Sequence, residues 1–278
     1  MQYLRNSIRV YKNKLIQNYF KYRINQGKSP YQVLFKPESY QILFILSHMR
    51  SGSSLLTHLL ITNPQVIGYG ETHIQYRSEA DFRKLIYQVY WQSQDFRKLG
   101  DLENLKMKHK YILDKVLHNN KFLQKDFLKS ENIYAIFLLR EPQRTVASML
   151  DQKPHWIEDD AVQYYNGRLS ALEEYAQIIN NRKRTLLITH DQIINQSQAV
   201  FQGLQNFLAT QTGFSEEYKI LKTTGMRNIG DFKENIKAGR IVRKNRELKV
   251  EVSPQALDLT NHKFQQCREI LSQFCTTL

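Results

Sequence analysis

The chain has 278 residues and a mass of 33.0 kDa, enough to bury a full core, and its 41% hydrophobic and 24% charged residues exclude disorder as the default. A formal net charge of +14 implies anionic company, yet no helix-turn-helix, zinc-finger spacing or RNP-type aromatic motif is present, so nucleic acid is not expected. The two cysteines, Cys267 and Cys275, lack zinc or C-x-x-C spacing and read as core thiols in a reducing compartment. The longest apolar runs are about strand length, far short of the roughly 20 residues a membrane span needs. No signal-peptide pattern opens the chain, so the expected location is cytoplasmic.

Residues 1–30 form a basic amphipathic segment. Arg5, Arg9, Lys12, Lys14, Lys21, Arg23 and Lys28 precede the first acidic residue, Glu38. Leu4, Ile8, Tyr11, Leu15 and Tyr19 recur at helical spacing. Two readings compete: a helix packed on the domain through this stripe with its basic face solvated, or a helix lying on anionic lipid at the inner membrane surface. Gly27-Lys28-Ser29-Pro30 then breaks the helix.

Residues 31–278 read as one α/β domain. Candidate strands at 41–47, 65–69, 110–117, 133–140 and 184–190 alternate with candidate helices at 53–62, 79–92, 122–129, 142–151, 160–181 and 197–209. That alternation predicts three layers, α/β/α, around a parallel sheet of about five strands. Ligands in such sheets sit beyond the carboxyl ends of the strands. The stretch 223–246 reads as a long loop.

Two strand–loop–helix elements carry the chemistry. In the first, the apolar run Ile42–Leu46 leads through Ser47-His48-Met49-Arg50-Ser51-Gly52-Ser53-Ser54 into a helix, aiming backbone N–H groups and a positive helix end at one point. The P-loop pattern G-x-x-x-x-G-K-[ST] is absent: there is one glycine, and Arg50 stands before it. In the second, the strand Ile133–Leu139 delivers Arg140, Pro142 suits a first helical turn, and Ser148 lies about two turns along. Both suit a phosphate or sulfate group. Two rival classes remain: a P-loop kinase or NTPase using Asp191 as a Walker-B-like carboxylate, and a non-catalytic module that binds anionic lipid or glycan.

M-R-S-G-S-S-L-L at 49–56 resembles the 5′-phosphosulfate loop of the sulfotransferases that use 3′-phosphoadenosine 5′-phosphosulfate (PAPS). L-L-R-E-P-Q-R-T-V-A-S-M-L at 138–150 resembles their 3′-phosphate element. Weaker echoes are Asp114-Lys115, the 186–193 segment, Phe207-Leu208 and Gly230-Asp231-Phe232-Lys233, so the resemblance spans about 41–241. It implies a P-loop-like fold and a sulfuryl transfer from PAPS without a metal. By the same resemblance, Arg50, Ser51, Gly52, Ser53 and Ser54 bind the phosphosulfate and Arg140 and Ser148 the 3′-phosphate. The family's R-K-G-x-x-G-D lead-in is here Gly225–Asp231, where Arg227 replaces a phosphate contact. Lys115 and Lys233 are either further cations for the phosphosulfate or solvated charges.

The bacterial carbohydrate branch of that family carries a glutamate after the next strand, which matches Glu71 as the general base, with Arg50 stabilising the leaving group. His48 and His73 are the alternatives, since another branch uses histidine. The implied acceptor is a carbohydrate, a glycolipid or a small alcohol. Tyr87, Tyr90, Trp91, Trp156, Tyr164 and Tyr165 either stack on it or fill core.

Overall fold

The computed structural model describes residues 2–93, 102–221, 235–243 and 250–278. Six parallel strands form one sheet in the order β2-β3-β1-β4-β5-β6: β1 Gln41–Ser47, β2 Val66–Ile67, β3 Tyr111–Val116, β4 Ile133–Leu139, β5 Thr185–Thr189 and β6 Thr276–Thr277. All five expected strands are present, and the two-residue β6 extends the β5 edge. The central strand β1 pairs with β3 through Ile42↔Ile112 and with β4 through Ile42↔Ile133, so the strand order turns outward on both sides of it.

The apolar strands divide their side chains between two cores. Ile42, Phe44, Leu46, Ala135 and Phe137 face one layer, whose helices are α1 (Gln2–Asn25), α3 (Phe82–Gln92), α5 (Pro142–Gln152), α6 (Glu158–Ile179) and α9 (Pro254–Phe274). Leu43, Ile45, Ile136 and Leu138 face the other, covered by α2 (Ser53–Ile61), α7 (His190–Asn195) and α8 (Ser197–Leu208). A sheet buried on both faces is why these strands read as unbroken apolar runs. A short helix, α4 (Leu102–Leu105), precedes β3. Cys267 and Cys275 are buried and unbridged, as expected of core thiols.

Three expectations need correction. Residues 122–129 are not an α-helix: 3₁₀ turns occupy Asn119–Lys121 and Asp126–Lys129, because Phe122 is extended and bridges to Tyr76. The expected strand 65–69 is shorter, Val66–Ile67, and Gly68 beyond it lies so close to β3 that a side chain there would collide with Leu113. The packed face of α1 is also different. Ile16, Phe20 and Ile24 face the core, whereas Tyr11 and Leu15 are 67% and 53% exposed. The helix carries two apolar stripes, and the one continuing into the buried Arg23 turn is the one that packs against α3.

Arg168 on α6 is buried and ties the carboxyl ends of two strands together. It donates from Nε to the Ser47 carbonyl at 2.7 Å, from Nη2 to the Val116 carbonyl at 2.7 Å and from Nη1 to Asn119 Oδ1 at 2.9 Å. The first of these ends leads into the Ser47–Ser54 loop, and Asp114 and Lys115 stand just before the second. Arg168→Met should cost about 2–6 kcal/mol in urea unfolding, because two buried carbonyls lose their donors at roughly 1–3 kcal/mol each. A loss under about 0.5 kcal/mol, the size of an ordinary surface change, would mean that Arg168 does not hold the strand ends.

Candidate active site

The loop after β1 and the loop after β4 are fastened to each other by a buried imidazole. The Arg140 backbone N–H donates to His48 Nε2 at 3.1 Å, so the other nitrogen, Nδ1, carries the proton and donates to the Met49 carbonyl at 2.9 Å. Arg140 Nη1 reaches back to the Arg50 carbonyl at 3.0 Å. That bond holds Arg50 in a left-handed conformation, φ 64°, which non-glycine residues adopt at a cost. Arg50 Nε donates to Ser148 Oγ at 2.8 Å. Thus Arg50, Arg140 and Ser148, expected at opposite ends of one ligand, converge. Two tyrosines of α6 complete the clasp: Tyr165 Oη donates to the Arg140 carbonyl at 2.7 Å, and Tyr164 Oη accepts from the Met49 N–H at 3.1 Å.

Gly52 begins α2 in a left-handed conformation, φ 90°, and a Cβ there would lie 2.4 Å from the His190 ring. Only glycine fits both constraints. No side chain caps this helix start. Ser51 is fully buried and its Oγ has no hydrogen-bond partner among the described residues. A buried hydroxyl without a hydrogen bond at an uncapped helix N-terminus, next in sequence to Arg50, suits an oxyanion. Ser53 is buried alongside, and Lys115 Nζ donates to Ser54 Oγ at 3.3 Å.

The local field is strongly positive. Burial first, with Arg168 and Arg140 adding, lowers the His48 pKa to about 3 despite its bond to the Met49 carbonyl. His190 falls to about 3 through burial, then Arg140 and Arg144. Burial and the neighbouring Arg144 and Arg50 bring Arg140 down to about 10, against the pull of Glu141. His48 is therefore a neutral strut with both nitrogens engaged, and it is not placed to take a proton from an acceptor.

The second arm carries Glu71. Its loop turns through Gly70 at φ 130° and His73 at φ 59°, and the intervening Thr72 is pinned to the buried Asp114. Asp114 accepts from Thr72 N at 3.0 Å, Thr72 Oγ1 at 2.8 Å, Tyr76 Oη at 2.6 Å and Lys115 N at 2.9 Å. Gln88 of α3 donates to the Thr72 carbonyl from the other side, at 2.9 Å. Held between these groups, Glu71 is only 7% exposed, and its Oε1 accepts no hydrogen bond, with His73 Nδ1 3.5 Å away. Burial lowers the pKa of Lys115, while Glu71 and then Asp114 oppose that shift. Lys115 thereby links the carboxylate arm to the anion loop electrostatically.

Beside this arm lies a cavity of about 510 Å³ lined by His73, His118, Asn119, Asn120, Lys121, Gln163, Tyr164 and Gly167. The lining includes neither arginine of the clasp. Tyr164 is the one residue that both faces this cavity and supports the anion loop. Of the aromatics noted in the sequence, Tyr90 and Tyr165 are core, and Trp156 packs against Tyr164 at 5.8 Å between ring centres.

Arg227 and Lys233 lie outside the described residues. Asp191 is exposed in the first turn of α7 and accepts from Asn195 Nδ2 at 2.6 Å, so it does not face the loop as a Walker-B carboxylate would. Arg168 and His190 were not foreseen. For Arg168 the signal was a cation in the apolar series Ala161, Tyr165, Leu169, Leu172; for His190 it was position alone, directly after a buried strand.

No protein-family model matches the chain, and no curated protein does. Two solved sulfotransferase domains are similar in structure. The domain from the curacin biosynthetic pathway is 14% identical, with a TM-score of 0.49 over 81% of this chain and 98% of its own. The domain from the Synechococcus PCC 7002 olefin synthase is 16% identical, with a TM-score of 0.49 over 82% of this chain and 96% of its own.

The neutral imidazoles set a pH dependence. Between about pH 6.5, the ordinary histidine value, and about pH 3, the unfolded chain holds protons that folded His48 and His190 refuse. Their burial therefore reduces stability progressively as pH falls through that window. Urea unfolding at about pH 7 and about pH 5 should show a lower midpoint in acid, and His48→Gln should flatten the difference. An unchanged slope in that variant would mean that His48 is protonated in the folded protein.

Proposed function

We propose that the chain is a PAPS-dependent sulfotransferase that moves a sulfuryl group to a hydroxyl of a carbohydrate or glycolipid acceptor. The observation that carries this reading is a pair of buried oxygens without a hydrogen bond among the described residues, Ser51 Oγ next in sequence to Arg50 and Glu71 Oε1, on two segments that Lys115 links through Ser54 and through the Glu71 charge. The first suits a ligand oxyanion, and the second suits a hydroxyl donor.

In this reading Arg50, the hydroxyls of Ser51, Ser53 and Ser54 and the amides from Gly52 onward hold the 5′-phosphosulfate, with Arg140 and Ser148, which lie against Arg50, at the 3′-phosphate. Glu71 takes the proton from the acceptor hydroxyl as its oxygen bonds to sulfur. The bond from sulfur to the phosphate oxygen breaks, and that oxygen leaves with the electron pair, stabilised by Arg50 and Lys115. Positioning and fixed charge supply most of the effect, as in phosphoryl transfer. A transferred sulfuryl group carries less charge than a phosphoryl group, so the residues present supply the needed cations and no metal is invoked. The cavity that His73 lines, two residues from Glu71, supports a sugar acceptor, because its asparagines, glutamine, tyrosine and histidines offer donors and acceptors suited to several hydroxyls. Lys121 adds a cation for acidic sugars.

Glu71→Gln should retain binding of adenosine 3′,5′-bisphosphate (PAP), read as a rise in melting temperature without Mg²⁺, and lower turnover by roughly 10²–10⁴. Arg140→Ala should weaken PAP by about 10–100-fold, the value of a hydrogen bond to a charged group, and far more than it weakens an analogue lacking the 3′-phosphate, which loses only the support that Arg140 gives to Arg50. Stabilisation by Mg²⁺–ATP and not by PAP would replace this reading with a kinase, and normal turnover in Glu71→Gln would remove the carboxylate from the proton transfer.

A further inference from the structure

Among the described residues the outward face of α1 is exposed, and it has the composition of an interfacial helix. Val10, Tyr11, Leu15, Tyr19 and Tyr22 are 67, 67, 53, 39 and 55% exposed, although α1 packs elsewhere through Ile16, Phe20 and Ile24. At 3.6 residues per turn, Tyr11, Leu15 and Tyr22 share one stripe diametrically opposite Phe20. Lys14 and Lys21 run along one border of this stripe and Lys12 stands on the other, all exposed, and α1 contains no acidic residue. The patch continues beyond the helix. The Arg23 guanidinium lies 5.7 Å from the Tyr19 ring and 5.8 Å from that of Phe35, which is itself 78% exposed.

We propose that this face of α1 seats the protein on an anionic bilayer surface, independently of what the catalytic site transfers. Tyrosines and a leucine flanked by lysines place apolar groups at the acyl boundary and the ammonium groups among lipid phosphates. Charge complementarity selects this occupant. A symmetric pairing with a second copy would set Lys14 and Lys21 against their own kind, and Val10 and Leu15 gain nothing against a nucleic-acid backbone. No described helix is long and apolar enough to cross the bilayer, so the contact is one of lying on it. The face is also coupled to the catalytic region: α1 packs on α3, whose Gln88 holds the Thr72 carbonyl beside Glu71. A protein docked this way holds its carboxylate arm one helical layer from the lipid.

Flotation with vesicles of phosphatidylcholine alone, or with about one third phosphatidylglycerol, tests the proposal on the full chain. Binding is expected only to the anionic vesicles, with at least a tenfold loss in about 0.5 M salt. Lys14→Glu with Lys21→Glu should lower partitioning by at least tenfold, since each surface cation contributes roughly fivefold. Leu15→Asp with Tyr22→Asp should do the same while the melting temperature and circular dichroism stay unchanged, because neither residue packs on the core. Absence of binding, equal binding to neutral vesicles, or wild-type binding by either variant would overturn the proposal. So would an aspartate variant that turns a solution dimer into a monomer without altering vesicle binding, which would assign the face to a second copy.

Discussion

The candidate site depends on one buried ring. His48 accepts from the backbone of Arg140 and donates to the carbonyl of Met49, and so fixes the loop after β1 against the loop after β4. Neither loop could achieve this alone. Arg50 is held in a left-handed conformation by a bond from Arg140, and its guanidinium is turned toward Ser148. Remove the imidazole and a backbone N–H and a carbonyl lose their partners inside the protein, at about 1–3 kcal/mol each. The strut works only while neutral, which its burial among arginines ensures.

A second constraint serves the opposite wall. Asp114 gathers four donors and, through Thr72, sets the direction of Glu71, while the next residue, Lys115, reaches Ser54 in the anion loop. Adjacent residues of β3 thus serve the carboxylate and the anion loop respectively. Burial, partly offset by these donors, and the nearby Glu71 raise the Asp114 pKa to about 6. The opposed charges of Glu71 and Lys115 stabilise each other in a region where either alone would be costly. Charge balance, more than shape, organises this end of the sheet.

Both anion loops were legible in the sequence because strand, hydroxyl-rich turn and helix are local features, with apolar runs on one side and Pro142 or Ser53 on the other. Their mutual contact was not legible. Whether His48 is a base or a strut depends on a neighbour 92 residues away. The same holds for Arg168, a cation in an apolar helical stripe whose acceptors are carbonyls of β1 and β3. In α1 the period was correct and the packed stripe was not, since two stripes share the helix and tertiary contact with α3 decides between them. The run 122–129 has a helical composition that a single bridge, Phe122 to Tyr76, overrides.

The site depends on His48 being a neutral Nδ1–H tautomer that joins two cationic loops. Nitrogen-15 NMR of the imidazole across acid pH measures this directly. The prediction is a protonated Nδ1 and an accepting Nε2 that persist from neutrality to about pH 4, with no titration near the ordinary value of about 6.5. A His48 ring that exchanges tautomers, or that gains a proton near that value in the folded protein, would contradict the clasp and the site built on it.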